Sequence, residues 1–82
     1  MAEHKVQTPI PGVFYRRPAP DQPEYAQPGD SVTAGQTIGL VEVMKQFSEI
    51  KAGVDGTLVT FHVDTEDVIG PGDVIATIET GA

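Results

Sequence analysis

The chain has 82 residues, enough for one domain with a modest core. Five Lys and Arg against 12 Asp and Glu give a formal net charge of −7, which disfavours nucleic acid and anionic membrane surfaces as partners. The absence of cysteine excludes a disulfide framework and a thiolate metal site. Apolar residues make up 39% of the chain and fall in alternating runs, which points to a packed fold. No apolar run approaches the roughly 20 residues of a membrane span, and no signal-peptide core is visible. The expected location is the cytoplasm.

Taken in chain order, residues 1–7 carry no clear pattern and are expected to fray as a flexible tail. From Pro9 onward, Pro and Gly recur at short intervals: Pro11-Gly12, Pro18, Pro20, Pro23, Pro28-Gly29, Gly35, Gly39, Gly53, Gly56 and Gly70-Pro71-Gly72. These breaks leave no room for a long helix. The stretches between them are rich in Val, Ile, Thr and Phe, and strands are predicted over 36–42, 56–63 and 74–79. Short strands at this spacing predict an all-β sandwich or barrel. Its core is expected to include Ile38, Val41, Leu58, Val63, Ile75 and Ile78.

The chain also resembles itself. Residues 35–42 (GQTIGLVE) align with 72–79 (GDVIATIE), and Pro11-Gly12-Val13-Phe14 aligns with Asp55-Gly56-Thr57-Leu58. Gly12 to Gly35 spans 23 positions and Gly56 to Gly72 spans 16, so the first half carries an insert of about seven residues. Two such β units would form a flattened sandwich of two four-stranded sheets with quasi-two-fold symmetry. The insert lies within residues 16–28, where Pro18, Pro20 and Pro23 make a stiff protrusion rather than a paired strand.

The junction between the halves reads Val41-Glu42-Val43-Met44-Lys45-Gln46-Phe47. A tight hairpin there would favour Asn-Gly or Asp-Gly, residues at ease with positive φ. Met44-Lys45 breaks that rule, and broken local rules concentrate at functional sites. Met44 there reads as a partial core contact, unless Lys45 beside it is a modification acceptor, which would explain the pair. Glu42 and Glu49 flank Lys45, either as charged guides for a modifying enzyme or as ordinary solvated strand residues.

On these residues the chain resembles the biotinyl domain of biotin carboxyl carrier proteins, in particular the acetyl-CoA carboxylase carrier type. The resemblance runs over about residues 8–80 and rests on Pro9-Ile10-Pro11-Gly12-Val13-Phe14-Tyr15-Arg16, Pro18-Ala19-Pro20-Asp21, Gly29, Gly35, Met44-Lys45 and Asp55-Gly56-Thr57. The family motif is Ala-Met-Lys-Met; here Val43 and Gln46 replace the outer two residues. The resemblance implies a barrel-sandwich hybrid over residues 8–82 and a swinging-arm function without catalysis of its own. Biotin would be joined as an amide to Lys45 by a biotin protein ligase, with Glu42, Val43, Met44 and Gln46 around the acceptor. A biotin carboxylase would load the arm, and the carrier would take carboxybiotin to a carboxyltransferase, in fatty acid biosynthesis if the enzyme is acetyl-CoA carboxylase. The insert, about residues 17–27, resembles the family's thumb, with Gln22, Pro23, Glu24 and Tyr25 as its far part and as candidate biotin contacts.

Competing readings give the remaining residues plainer roles. Lys5 lies in the tail and Lys51 on a solvated strand face, so neither competes with Lys45 as acceptor. His4 and His62 are isolated, which gives no metal or catalytic set. Arg16-Arg17 is expected to neutralise nearby carboxylates. A lipoyl carrier would share the fold, but its acceptor lysine normally follows Asp. An unmodified barrel-sandwich adaptor would lack any acceptor. A free-standing enzyme is disfavoured because no nucleophile–base pair, metal cluster or phosphate loop is present in the sequence.

Overall fold

A computed structural model describes residues 2–19 and 21–81. Eight strands form over them: β1 (Ala2–Gln7), β2 (Gly12–Tyr15), β3 (Ser31–Val32), β4 (Thr37–Val43), β5 (Gln46–Lys51), β6 (Gly56–Phe61), β7 (Val68–Ile69) and β8 (Val74–Thr80). They make two four-stranded antiparallel sheets, ordered β1-β8-β6-β3 and β5-β4-β2-β7. Replacing each of β1–β4 by the strand four places later, and the reverse, converts one order into the other. This is the two-fold relation that the repeated sequence predicts. Even the exposure pattern repeats: β4 and β8 share one half-buried residue, four buried and two half-buried.

Glycine explains why the repeat begins as it does. A Cβ on Gly12 would stand 2.5 Å from the Glu42 carbonyl oxygen and 2.6 Å from Val41 Cγ1. A Cβ on Gly56 would strike the equivalent Glu79 carbonyl and Ile78 side chain. Both strands therefore cross β4 and β8 too closely for any side chain.

Ile38, Val41, Leu58, Ile75, Ile78 and Phe14 are all 0% exposed and fill the space between the sheets. Val63, expected in the core, is only half-buried and packs against its rim, because β6 ends at Phe61. Ile38→Ala should destabilise the domain by about 2–5 kcal/mol, the range for truncating a fully buried Ile. Urea denaturation of the two proteins checks this, and a loss under about 0.5 kcal/mol would contradict the packing.

The tail departs from expectation. Residues 2–7 do not fray but form β1, paired with β8 from Ala2–Thr80 to Gln7–Val74. Without β1 the edge of β8 would be left with unpaired backbone groups. Of the β1 side chains only Val6 is buried, so the strand has almost no apolar alternation to reveal it. Met1, in the same expected tail, and Ala82 lie outside the described residues, as does Pro20 of the insert.

The two-fold relation also separates the β4–β5 hairpin from the chain ends. β2 starts beside Glu42 and Val43, and β6 starts beside Glu79. Their far ends meet in the middle, with the Phe14 and Phe61 rings 6.1 Å apart. The β4–β5 hairpin and the β1–β8 ends are thus at opposite poles.

Candidate functional site

At one pole Val43 pairs with Gln46, and Met44 and Lys45 alone make the turn between β4 and β5. Both hold positive φ, 50° and 68°, as a two-residue primed turn requires. The right-handed twist of the strands selects this turn, and two L-residues with long side chains bear its strain. Met44 is 91% exposed, which removes the core-contact reading. Lys45 is also exposed, and among the described residues no carboxylate forms an ion pair with it. Val43 is half-buried against the core and packs over Gly12, while Gln46 faces solvent.

The other two lysines lie on strands, and of these Lys51 is engaged. Lys51 Nζ lies 3.1 Å from Glu49 Oε1 and 3.1 Å from Thr37 Oγ1. Lys5 is on β1, opposite Thr77, in the other sheet. Glu42 is occupied as well, accepting a 3.0 Å hydrogen bond from the Tyr15 hydroxyl. That bond, some burial, and then the charges of Glu42 and Glu66 hold the Tyr15 phenol above its ordinary value of 10.0. A raised folded-state value favours the neutral phenol, so Tyr15's contribution is complete below pH 10.0 and is lost as pH rises through the raised value. Glu42→Ala should move the Tyr15 ionisation down toward 10.0 in an ultraviolet absorbance titration. No change would mean that the hydroxyl has another partner.

The proline-rich insert is tied down rather than free. Glu24 receives Arg16 at 3.3 Å and Arg17 at 3.4 Å, and Arg16 also reaches Asp64 at 3.8 Å. The Arg16 guanidinium stacks 4.3 Å from the Phe61 ring centroid. Tyr25 N–H donates to the Arg16 carbonyl at 2.9 Å, and Ala26 enters the core. The arginine pair thus neutralises a carboxylate, as expected, and in doing so clamps the insert to β2. Burial first, and then the charge of Glu49, raises the Tyr25 phenol above its ordinary value. Gln22 and Pro23 are exposed at the tip, whereas Glu24 and Tyr25 belong to the returning leg. His62 is held by Thr77 Oγ1 at 2.7 Å, a structural contact.

One feature at this pole was not legible beforehand. On the outer face of the β5-β4-β2-β7 sheet, Tyr15, Leu40 and Phe47 join the insert's base at Pro18 and Ala19, and Glu66, in lining a groove of about 360 Å³. The Tyr15 and Phe47 rings are 6.3 Å apart. Leu40 is buried here although it lies on the sheet's outer face. Alternation along β4 places Leu40 with Glu42 away from the core, but only the folded insert explains its burial.

Comparison with known proteins agrees with this geometry. The family described as biotin-requiring enzymes, the Biotin_lipoyl domain, matches residues 4–78. The biotin carboxyl carrier protein of acetyl-CoA carboxylase from Streptococcus pyogenes serotype M6 is 38% identical over 74 residues, covering 90% of this chain and 45% of the relative. The protein of the same description from Porphyra purpurea is 34% identical over 73 residues, covering 89% of this chain and 46% of its own length. The chain therefore spans under half the length of these curated relatives. Among solved structures, Kluyveromyces lactis urea carboxylase superposes with a TM-score of 0.80 at 23% identity, over 96% of this chain and 6% of that one. A single-chain long-chain acyl-CoA carboxylase gives 0.75 at 22% identity, over 98% and 7%. Those two likenesses support the barrel-sandwich fold. Since the family match extends over nearly all of the two-fold sandwich, from β1 into β8, the chain belongs to the Biotin_lipoyl family of biotin-requiring enzymes.

Proposed function

We propose that this domain is the biotin carboxyl carrier of a multisubunit carboxylase, acylated on Lys45 by a biotin protein ligase, and that the carboxylase is acetyl-CoA carboxylase. The observation that carries the proposal is the strained two-residue turn that projects Lys45 at positive φ, exposed and without an ion-pair partner among the described residues. Those properties fit an amine that must enter another protein's active site. Bound biotin would supply a nitrogen that accepts and releases a carboxyl group. The chain's own residues do the rest. The paired strands fix the direction of the arm, Met44 offers an apolar handle beside the amine, and the opposite pole leaves the chain ends clear of the arm. An arm on the order of 15 Å, from Cα to the ring, lets one rigid domain serve a biotin carboxylase and a carboxyltransferase in turn.

The insert over 17–27 acts as a thumb in this proposal. Gln22 and Pro23 are the exposed candidates for touching the arm, while Glu24 and Tyr25 hold the loop in place. Residues 8–82 then form the carrier domain, with β1 completing its sheet, and the cytoplasm is its proposed site of action. Across the described residues no helix is long and apolar enough to cross a membrane. Intact mass after co-expression with a biotin ligase tests the proposal. One added biotinyl group is expected; an added lipoyl group instead, or no addition, would overturn it.

A further inference from the structure

The register of the acceptor sheet aligns a row of side chains across all four strands. Phe47 pairs with Glu42, Glu42 with Val13, and Val13 with Val68. Paired residues share a face, and Phe14 and Val41, their neighbours in sequence, point into the core, so this row is on the outer face. It carries exposed apolar surface at both ends: Phe47 is 58% exposed and Val68 is 83% exposed. The row spans three strand spacings, about 14 Å. Behind it lies the groove floored by Leu40 and Tyr15, where Glu66 faces Arg17, a cation already paired with Glu24, and Glu42 stands within the row itself. Both carboxylates act on the Tyr15 phenol, and neither forms an ion pair among the described residues. Acylation removes the Lys45 charge and makes the formal net charge of −7 one unit more negative.

We infer that this outer face is the surface by which the carrier docks on the enzyme that carboxylates its arm, and that the partner presents a bulky apolar side chain flanked by Lys or Arg. The inference rests on the function proposed above. Geometry selects an enzyme at the far end of the arm over the ligase. Of the two such enzymes the biotin carboxylase receives the arm while it is neutral, so that Glu42 and Glu66 supply the attraction. A ligase acts on the amine itself and needs only the hairpin pole. An enzyme acting on the far end of an extended arm has its active site on the order of 15 Å beyond Lys45, and can hold the domain along its side. The biotinyl arm itself is a poorer occupant. It is neutral once its carboxyl group is in an amide, so Glu42 and Glu66 offer it no attraction. One ring also cannot cover both Phe47 and Val68. A basic, apolar protein surface satisfies the whole row, with the carboxylates steering encounter.

The test uses the biotinylated domain as substrate for a biotin carboxylase. Val68→Ser and Glu66→Lys alter exposed positions away from the acceptor turn, and an unchanged urea midpoint verifies folding. Each is expected to raise KM for the carrier about fivefold to tenfold with kcat unchanged, and the double variant should raise it further. Labelling at Lys45 by the ligase should proceed at the wild-type rate in both variants, so failure of the carrier reading would show there instead. Unchanged KM in the double variant overturns the docking face. So does biotinylation alone shifting the aromatic NMR signals of Phe47 and Tyr15 together, because the arm would then fill the groove.

Discussion

Lys45→Arg should abolish biotinylation, while Lys5→Arg and Lys51→Arg should leave it complete. The three lysines are chemically alike, so position alone must discriminate among them. Lys51 is on an extended strand with its ammonium held by Glu49 and Thr37, each at 3.1 Å. Lys5 is on β1, within a ladder that runs along β8. Only Lys45 stands at a turn apex where neighbouring backbone recedes on both sides. Arginine keeps the charge and the long stem, so the hairpin should persist, but its guanidinium stays protonated and cannot be acylated as a lysine amine is. Co-expression with a biotin ligase, followed by intact mass and peptide mapping, reads the outcome. The labelled fraction should fall from near completion to nil for Lys45→Arg only. Label that vanished with Lys5 or Lys51 instead would refute Lys45 as the tether.

Much of this architecture could be read from the chain because the same constraints occur twice. Gly12 and Gly56 each pass a backbone that admits no Cβ, and Glu42 and Glu79 close equivalent strands. A duplicated constraint leaves a duplicated sequence. The proposed acceptor stands out for the opposite reason, since Met44-Lys45 contradicts the turn that contains it. Elements with little apolar pattern stayed hidden. β3 and β7 have two residues each, and β1 buries only Val6. The ion pairs of Glu24 and the burial of Leu40 depend on how the insert folds back, which no local spacing encodes.

The turn itself should trade stability for chemistry. A non-glycine residue held in the left-handed region costs roughly 1–2 kcal/mol, less for Asn and almost nothing for Gly. Met44→Asn combined with Lys45→Gly supplies the pair this turn prefers. The double variant should gain about 2 kcal/mol in urea denaturation and lose biotinylation entirely. In a domain of this size each kcal/mol corresponds to a rise of about 4–8 °C in Tm, so calorimetry would register it easily. Met44→Asn alone separates the two effects. It should gain about 1 kcal/mol, because Asn tolerates this region better than Met. It keeps Lys45 but removes an exposed apolar side chain whose burial by a ligase would contribute about 1.5–3 kcal/mol. The labelling rate should therefore drop tenfold or more while the lysine remains available. A double variant no more stable than the parent would mean that the hairpin carries no strain, and Met44-Lys45 would then need another explanation. A more stable protein that cannot be labelled would show that the strain is kept because an acylatable amine has to stand at this bend.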